Sequence, residues 1–171
     1  MTLPPLSTAI AGGEDAVHLR LLERVRQAGL PHTVHAHAPT RTVDEARKSL
    51  DFDVTRIVKT IAFGLRGGGL LLAALRGTRR VAYPGLARAL GQTRRDLAAL
   101  SPDEVPARLG VSPGSVSPVP LDPDTIVLVD ADVLAIDPTL YCGLGRPDRT
   151  LEIAPADLLA LTGGRTADFS K

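Results

Sequence analysis

The stretch RIVKTIAFGLRGGGLLLAALR, residues 56–76, decides the expected fold because it contains two apolar runs separated by a glycine-rich break. Residues 56–65 and 70–76 are mostly aliphatic, and each has the length of a β-strand. The intervening RGGG, residues 66–69, has the conformational freedom that a tight turn requires. The sequence therefore predicts a buried β-hairpin.

Upstream of the hairpin, the pattern predicts a helix, a strand and a second helix. Apolar residues recur at helical spacing within residues 15–28, and the alternating segment HTVHAH, residues 32–37, is typical of a short strand. Thr42 and Glu45 have the spacing of a capping box for a helix that ends near Leu50.

Downstream, further short elements follow without strict alternation of strands and helices. The sequence predicts another strand at 79–83, three short helices starting near Pro84, Thr93 and Ser101, an irregular loop at 111–121, strands at 125–130 and 149–153, and a helix at 155–163. This order favours a single α+β domain with a mixed sheet over a doubly wound parallel fold.

Composition narrows the class of protein. A chain of 171 residues with 44% hydrophobic content suits one domain, predicted at 15–171 after a flexible tail at 1–14. The net charge of +1 and the aromatic content of 3% argue against a protein that coats nucleic acid or stacks many bases, so DNA is not an expected partner. Any RNA contact should therefore be confined to a local patch.

Cysteine content and hydropathy favour a cytoplasmic location. Cys142 is the only cysteine, which excludes an internal disulfide and a multi-cysteine zinc site. We expect Cys142 to be a small buried side chain and not a nucleophile. No stretch reaches the roughly 18 apolar residues that suggest a membrane span. Neither a membrane partner nor a cofactor is expected.

Lys59 is the first candidate for chemistry because lysine is rare in this chain. Seventeen of the twenty basic residues are arginine, and Lys59 lies within an apolar strand, on the face that carries Ile61 and Phe63. Burial of an unpaired ammonium is costly, so its side chain should reach a carboxylate, a cleft or a substrate anion. The alternatives are a packed stem with a solvated ammonium and an amine that binds or activates a substrate.

The loop PGSVSPVP, residues 113–120, is the second candidate. Its prolines fix their own φ angles while Gly114 allows a turn or a close approach. Such a loop is rigid without regular hydrogen bonding, so it is either a plain connection or a carbonyl-binding site. The backbone N–H groups available for such binding belong to Gly114, Ser115, Val116 and Ser117.

Other motifs point away from familiar sites. The segment GLGRPDR, 143–149, precedes a strand and so lacks the context of a dinucleotide fingerprint, although Gly143 and Gly145 can form a pocket wall. His35 and His37 share a strand face without a further metal-ligand partner, so no metal site is expected. Ser115 and Ser117 also lack the GxSxG elbow of a serine hydrolase.

Four segments together resemble the family of YbaK and the prolyl-tRNA synthetase insertion domain. They are IVKTIAF at 57–63, LGVSPGSVSPVPL at 109–121, IVLVDADVL at 126–134 and LEIAPADLLALTGG at 151–164. The resemblance implies a mixed β-sheet or barrel-like core surrounded by helices. It also implies hydrolysis, in trans, of mischarged aminoacyl-tRNA that carries a small amino acid such as alanine, cysteine or serine, with tRNA for proline as the expected carrier.

The resemblance also implies roles for particular residues. Lys59 corresponds to the functional lysine, here expected to be catalytic, and Gly114 with Pro118 matches the GxxxP pattern; the substrate would lie between them, beside Thr60. Thr150 stands where some relatives carry an acidic residue. No metal or cofactor is implied.

The expected partner is the acceptor end of an aminoacyl-tRNA, with a synthetase as a second candidate. Some of the six arginines after the hairpin, at positions 76, 79, 80, 88, 94 and 95, are predicted to form the basic patch that receives it, the alternative being an ordinary solvated surface. The alternatives are a non-catalytic tRNA- or partner-binding module of the same fold and a hydrolase of another small acyl ester.

Overall fold

The computed structural model of the protein describes residues 13–40, 42, 44–45 and 51–171. Within these ranges the helices are α1 (Gly13–Ala28), α2 (Tyr83–Leu90), α3 (Glu104–Leu109) and α4 (Pro155–Thr162). The strands are β1 (His32–Ala36), β2 (Val58–Leu65), β3 (Leu70–Arg76), β4 (Leu97–Ala99), β5 (Ile126–Asp130), β6 (Leu140–Gly143), β7 (Arg149–Ile153) and β8 (Arg165–Ala167).

The strands form two sheets that meet at one bridge. The larger sheet has the order β4-β2-β3-β5-β8, in which β2 and β3 pair antiparallel whereas β5 pairs parallel with β3 and β8. The smaller sheet, β1-β7-β6, is antiparallel. A bridge between Ile57 and Tyr141 joins β6 to the start of β2. The fold is α+β with mixed strand pairing, as predicted.

Apolar side chains cover both faces of the larger sheet. Val58 and Ala62 belong to a core that includes residues of α1 and α4, whereas Phe63 belongs to a second core with residues of α2. This division follows the period of two along β2, which sends successive side chains to opposite faces. The central strands are therefore buried on both sides, and they hold the residues beside them in fixed positions.

The predicted hairpin is confirmed, with β2 and β3 joined by the glycine turn. Helix α1 begins at Gly13, so the last two residues of the predicted tail are helical, while residues 1–12 lie outside the described ranges. Asp44 and Glu45 are helical, and the Glu45 N–H donates to Thr42 Oγ1 at 3.0 Å. The remainder of that predicted helix, to Leu50, is outside the described residues.

Two predictions are wrong in detail. Residues 79–83 do not form a strand, because only Val81 bridges to Ser170 and α2 has already begun at Tyr83. The helix predicted near Thr93 is a three-residue 3-10 turn that leads directly into β4. Strands β4, β6 and β8 were not predicted, since segments of three or four residues are too short to show a period of two.

No helix in the described part of the chain has both the length and the apolar character needed to cross a membrane.

Candidate active site

A cavity of about 300 Å³ lies where β2 and β6 separate. Ile57 bridges to Tyr141, but β2 acquires its next neighbour on that side only at Phe63, where β4 begins to pair. Between these points, the edge of β2 has no partner strand within the described ranges. The gap exposes backbone and side chains from one strand to a space that a substrate can enter.

Four parts of the chain line this cavity. They are β2 with its preceding residue (Ile57, Val58, Lys59, Thr60, Ile61), the GxxxP loop Gly114–Pro118 (through Gly114 and Val116), the β6–β7 region (Tyr141, Cys142, Gly143, Arg146, Pro147, Arg149, Thr150) and the segment before β2 (Thr40, Thr42, Phe52). Of the residues proposed from the sequence, the structure brings five together at this cavity: Lys59, Thr60, Gly114, Val116 and Gly143.

Lys59 extends from β2 to the cavity without an acidic partner. Its Nζ donates to the Gly77 carbonyl oxygen at 3.3 Å, and no carboxylate forms an ion pair with it among the described residues. Desolvation, followed by repulsion from Arg80, lowers the pKa of Lys59 from its ordinary value. The sequence analysis allowed a carboxylate, a cleft or a substrate anion near this side chain, and the structure places it at a cleft. Its ammonium group keeps donors that are free to bind an anion or a carbonyl group.

The GxxxP loop offers backbone donors to the same space. Gly114 has a φ of +88°, a conformation that favours glycine, and Ser115 N–H donates to Ser112 O at 3.0 Å. In the described part of the chain, the N–H groups of Gly114, Val116 and Ser117 have no hydrogen-bond partner. Two of these residues, Gly114 and Val116, line the cavity, so their N–H groups are candidates for binding an oxyanion.

The other predicted loop residues do not face the cavity and contribute to the shape of the loop. Ser115, Ser117 and Pro118 are buried and do not line the cavity. The Ser117 hydroxyl accepts from the Val119 N–H at 3.2 Å, which stiffens the segment without forming a nucleophile. Their contribution to the site is therefore the shape of the loop.

The two predicted glycines of the β6–β7 region differ. A Cβ atom on Gly143 would lie 2.6 Å from the Val116 carbonyl oxygen, so the missing side chain is what lets the GxxxP loop approach β6. Gly145, at φ +83°, packs instead on α1, where a Cβ would lie 2.9 Å from Leu21 Cδ1. Gly145 does not line the cavity, although it orients the loop that does.

Thr60 carries a buried polar atom without a partner in the described structure, its hydroxyl Oγ1. We expect Thr60→Val to stabilise the fold by about 1 kcal/mol, because valine has the same shape and an unpaired buried hydroxyl is costly. In a domain of this size that corresponds to a rise of about 2–4 °C in Tm, measured by thermal unfolding. Thr166→Val, at an exposed position of β8, is the matched control. A fall in Tm at position 60 alone would reveal an ordered water that satisfies the hydroxyl.

Sequence reasoning missed the aromatic wall of the cavity. The rings of Phe52 and Tyr141 stack with centroids 4.1 Å apart and an interplanar angle of 6°, and His35 meets the edge of the stack. Arg56 lies 4.7 Å from the Tyr141 ring centroid. The chain has only three Phe and two Tyr, and this scarcity was the one signal in the sequence that could have drawn attention to them. The stack itself was not predictable, because it joins segments that are remote in sequence.

Two arginines that line the cavity, Arg146 and Arg149, were also missed. Arg146 binds Asp148 through Nε at 2.9 Å and Nη2 at 3.0 Å, and Arg149 Nη1 lies 3.1 Å from the same carboxylate. The Arg146 hydrogen bond is the main reason that the pKa of Asp148 is lowered. Arg146 also forms an ion pair with Asp15, so two carboxylates face the two guanidinium groups and hold them in place on this wall.

The remaining polar candidates are occupied within the fold. His35 Nε2 lies 2.7 Å from Glu152 Oε1, and His37 Nε2 lies 2.7 Å from Thr150 Oγ1. No group of three His, Cys, Asp or Glu residues suited to a metal ion occurs among the residues described. Burial raises the pKa of the Cys142 thiol to about 12, so this cysteine is protonated at neutral pH and is a poor nucleophile.

A family model described as the aminoacyl-tRNA editing domain matches residues 37–161, which include the lysine strand, the GxxxP loop and the β6–β7 region. The chain belongs to this family. The match omits α1, although α1 packs into the core beside the site.

Solved structures agree with this assignment of the editing domain. Hypothetical protein APE2540 is 29% identical, with a TM-score of 0.80, and the match covers 89% of this chain and 99% of that one. A candidate trans-editing enzyme for prolyl tRNA synthetase is 26% identical, with a TM-score of 0.72 and 99% of both chains covered. The search among curated proteins gave no match.

The arginines after the hairpin do not form one free patch on the editing domain. Arg76 and Arg79 lie 2.7 and 3.8 Å from Asp132, and Arg94 stacks on the Tyr83 ring at 3.8 Å. The three others, which are exposed and have no ion pair in the described structure, are Arg80, Arg88 and Arg95. Of these three, Arg80 is the one whose charge acts on Lys59, because repulsion from it contributes to the lowered pKa of that lysine.

Proposed function

We propose that this editing domain is a trans-acting deacylase that hydrolyses the ester between a small amino acid, such as alanine, serine or cysteine, and tRNA for proline. The observation that carries the proposal is the cavity itself. It is lined by Lys59, which has no ion pair in the described structure, and by Gly114 and Val116, whose N–H groups have no hydrogen-bond partner among the described residues. Family membership and the likeness to a candidate trans-editing enzyme for prolyl tRNA synthetase support it.

The reaction needs only positioning and charge stabilisation, because an aminoacyl ester is already activated. Water adds to the acyl carbon, the bond from that carbon to the ribose oxygen breaks, and the ribose oxygen leaves with a proton as a hydroxyl group. The N–H groups of Gly114 and Val116 would stabilise the negative charge that develops on the acyl oxygen. Lys59 would contact the same carbonyl group or the terminal phosphate, while a ribose hydroxyl of the substrate helps to orient the water.

The walls of the cavity favour small aminoacyl groups. The GxxxP loop is held by prolines and by its close packing on Gly143, so a larger side chain would meet backbone that cannot easily retreat. Choice among alanine, serine and cysteine should be modest, since one methylene group is worth only about 1–3 kcal/mol. We therefore expect exclusion of large aromatic groups and of proline, with broad acceptance below that size.

A deacylation screen over tRNAs charged with different amino acids tests this function. The expected result is rapid release of a small amino acid from tRNA for proline and slow hydrolysis of correctly charged prolyl-tRNA. Absence of hydrolysis with retained tRNA binding would identify a non-catalytic binding module instead. Equal turnover of free aminoacyl esters would identify a hydrolase of small esters, because a deacylase uses binding energy from the RNA.

The proposed contact with tRNA can be tested at Arg80. We expect Arg80→Glu to weaken tRNA binding and to lower the slope of log Kd against log salt by about one, because one phosphate contact is lost. Arg165→Glu, at an exposed arginine on β8, is the control. Arg79 is a poor probe because its Nε donates to Ser170 Oγ at 2.7 Å, so a change there also disturbs the fold. Equal affinity of the Arg80 and Arg165 variants would remove Arg80 from the tRNA-binding surface.

A further inference from the structure

Helix α1 lies outside the span that the family model matches, yet its first turns contact both loops that wall the cavity. The first contact is with the segment that leads into the GxxxP loop. Glu14 Oε1 accepts from the Ser112 N–H at 3.1 Å and from the Ser112 hydroxyl. Gly13 packs on Gly110, because a Cβ on Gly13 would lie 3.0 Å from the Gly110 carbonyl oxygen.

Ser112 begins the turn that leads into the GxxxP loop. Its carbonyl oxygen accepts the Ser115 N–H at 3.0 Å, and this turn presents Gly114 at φ +88° to the cavity. A segment with three prolines and few backbone hydrogen bonds is positioned by the few anchors it has. The half-buried Glu14 carboxylate is a strong anchor, because a hydrogen bond to a charged acceptor is roughly twice as strong as a neutral one.

The second contact is with the β6–β7 loop on the opposite wall. Asp15 forms an ion pair with Arg146, which lines the cavity. Buried His18 donates from Nδ1 to the Leu144 carbonyl oxygen at 2.6 Å, and Gly145 packs against the same helix. One rigid helix therefore touches both walls within two turns of its start.

We propose that α1 fixes the spacing of the two cavity walls and that Glu14 is the positioning residue for the GxxxP loop, so that Glu14 sets the largest aminoacyl group the site accepts. The proposal rests on the deacylase function proposed above. Loss of Glu14 would remove the two hydrogen bonds that join Ser112 to α1, while the opposite wall stays bound to α1 through Asp15 and His18. The cavity would then widen on one side only.

Four variants separate this role from a general effect on the helix. Glu14→Ala removes both hydrogen bonds, whereas Glu14→Gln keeps an oxygen that can accept them. Glu14→Asp keeps the negative charge that favours a helix N-terminus but is one methylene too short to reach Ser112, so it isolates the contact if the alanine variant folds poorly. Glu23→Ala is the matched control on the same helix, since the one side-chain hydrogen bond of Glu23 within the described ranges is with Gln27.

The measurements are kcat and KM per folded protein on alanyl- and prolyl-tRNA, together with hydrogen exchange at the Ser115 amide. In Glu14→Ala and Glu14→Asp we expect kcat on alanyl-tRNA to fall more than KM rises, and the preference for alanyl over prolyl groups to fall by about tenfold. The Ser115 amide should exchange faster in both. Glu23→Ala should resemble the wild type, whereas Glu14→Gln should lie between the wild type and Glu14→Ala, because it keeps both hydrogen bonds with a weaker, neutral acceptor.

An unchanged preference with unchanged Ser115 exchange in Glu14→Ala and Glu14→Asp would overturn the positioning role. A change in both that Glu23→Ala reproduces would also overturn it, because the effect would belong to the helix as a whole. If the wild-type protein hydrolyses no aminoacyl-tRNA, the proposed function fails. Hydrogen exchange at the Ser115 amide then tests by itself whether Glu14 positions the loop, because that measurement needs no enzymatic activity.

Discussion

Lys59→Ala is expected to lower deacylation by about 10²-fold or more while the protein stays folded, because removal of one positioned donor at a developing oxyanion costs that much. The Lys59 side chain makes only one hydrogen bond within the described structure, to the Gly77 carbonyl at 3.3 Å, so its loss leaves little of the fold unpaired. Single-turnover hydrolysis of alanyl-tRNA, with circular dichroism to check folding, measures the effect.

Two companion variants sharpen this prediction. Lys59→Arg should rescue poorly, since a planar guanidinium group cannot occupy the place of a compact ammonium group. Lys59→Met should be as inactive as the alanine variant and at least as stable as the wild type. Near-wild-type turnover by Lys59→Ala would exclude a catalytic role for the lysine.

The expected stability of Lys59→Met follows from the direction of the pKa shift. The pKa of Lys59 is lowered in the folded protein, so its protonated form is less favourable there than in the unfolded chain. The free energy of unfolding is therefore reduced at neutral pH, and this reduction is relieved as the pH rises from the folded pKa through the unfolded pKa. Thermal unfolding at pH 7 should show a Tm for Lys59→Met equal to or above that of the wild type.

Gly143→Ala is expected to lower turnover of alanyl-tRNA by about 10²-fold, because a misplacement of about 1 Å in a catalytic group is enough for such a loss. Its Cβ would lie 2.6 Å from the Val116 carbonyl oxygen and 3.2 Å from the Val116 carbonyl carbon. Both atoms are backbone, so the GxxxP loop itself must move away from β6. The N–H groups of Gly114 and Val116 move with it.

Gly69→Ala provides the control for Gly143→Ala. Its Cβ would meet only the Leu65 side chain, at 3.5 Å, in the turn between β2 and β3. The Gly143 variant should also be less stable by about 1–3 kcal/mol, as is usual for an overfilled site, so activity must be compared per folded protein. If Gly143→Ala keeps full activity and only loses stability, the spacing between β6 and the GxxxP loop is not part of the catalytic geometry.

Local patterns in the sequence were sufficient for several parts of the site. The hairpin of β2 and β3 was predictable because the apolar runs and the glycine turn are contiguous. Lys59 was conspicuous as a lysine in an apolar strand of an arginine-biased chain, and the prolines around Gly114 indicated a rigid loop. Each of these inferences depends on residues within about ten positions of one another, where propensity and periodicity apply.

The arrangement of the cavity was decided only by the tertiary structure. The edge of β2 opens because β6 bridges to it at Ile57 and β4 joins it only at Phe63, and periodicity does not specify which distant strands become neighbours. The same holds for the arginine patch, where Asp132 neutralises residues that look free in the sequence.

The link between α1 and the site depends on tertiary contacts in the same way. Glu14 and Ser112 are 98 positions apart, and Asp15 and Arg146 are 131 positions apart. The sequence by itself determined the fold class and the hairpin, and it identified Lys59 and the proline-rich loop as candidates. These features depend on short-range sterics and on the burial of apolar side chains. The tertiary structure decided which groups share the cavity and which helix braces its walls, because those contacts form only when remote segments pack together.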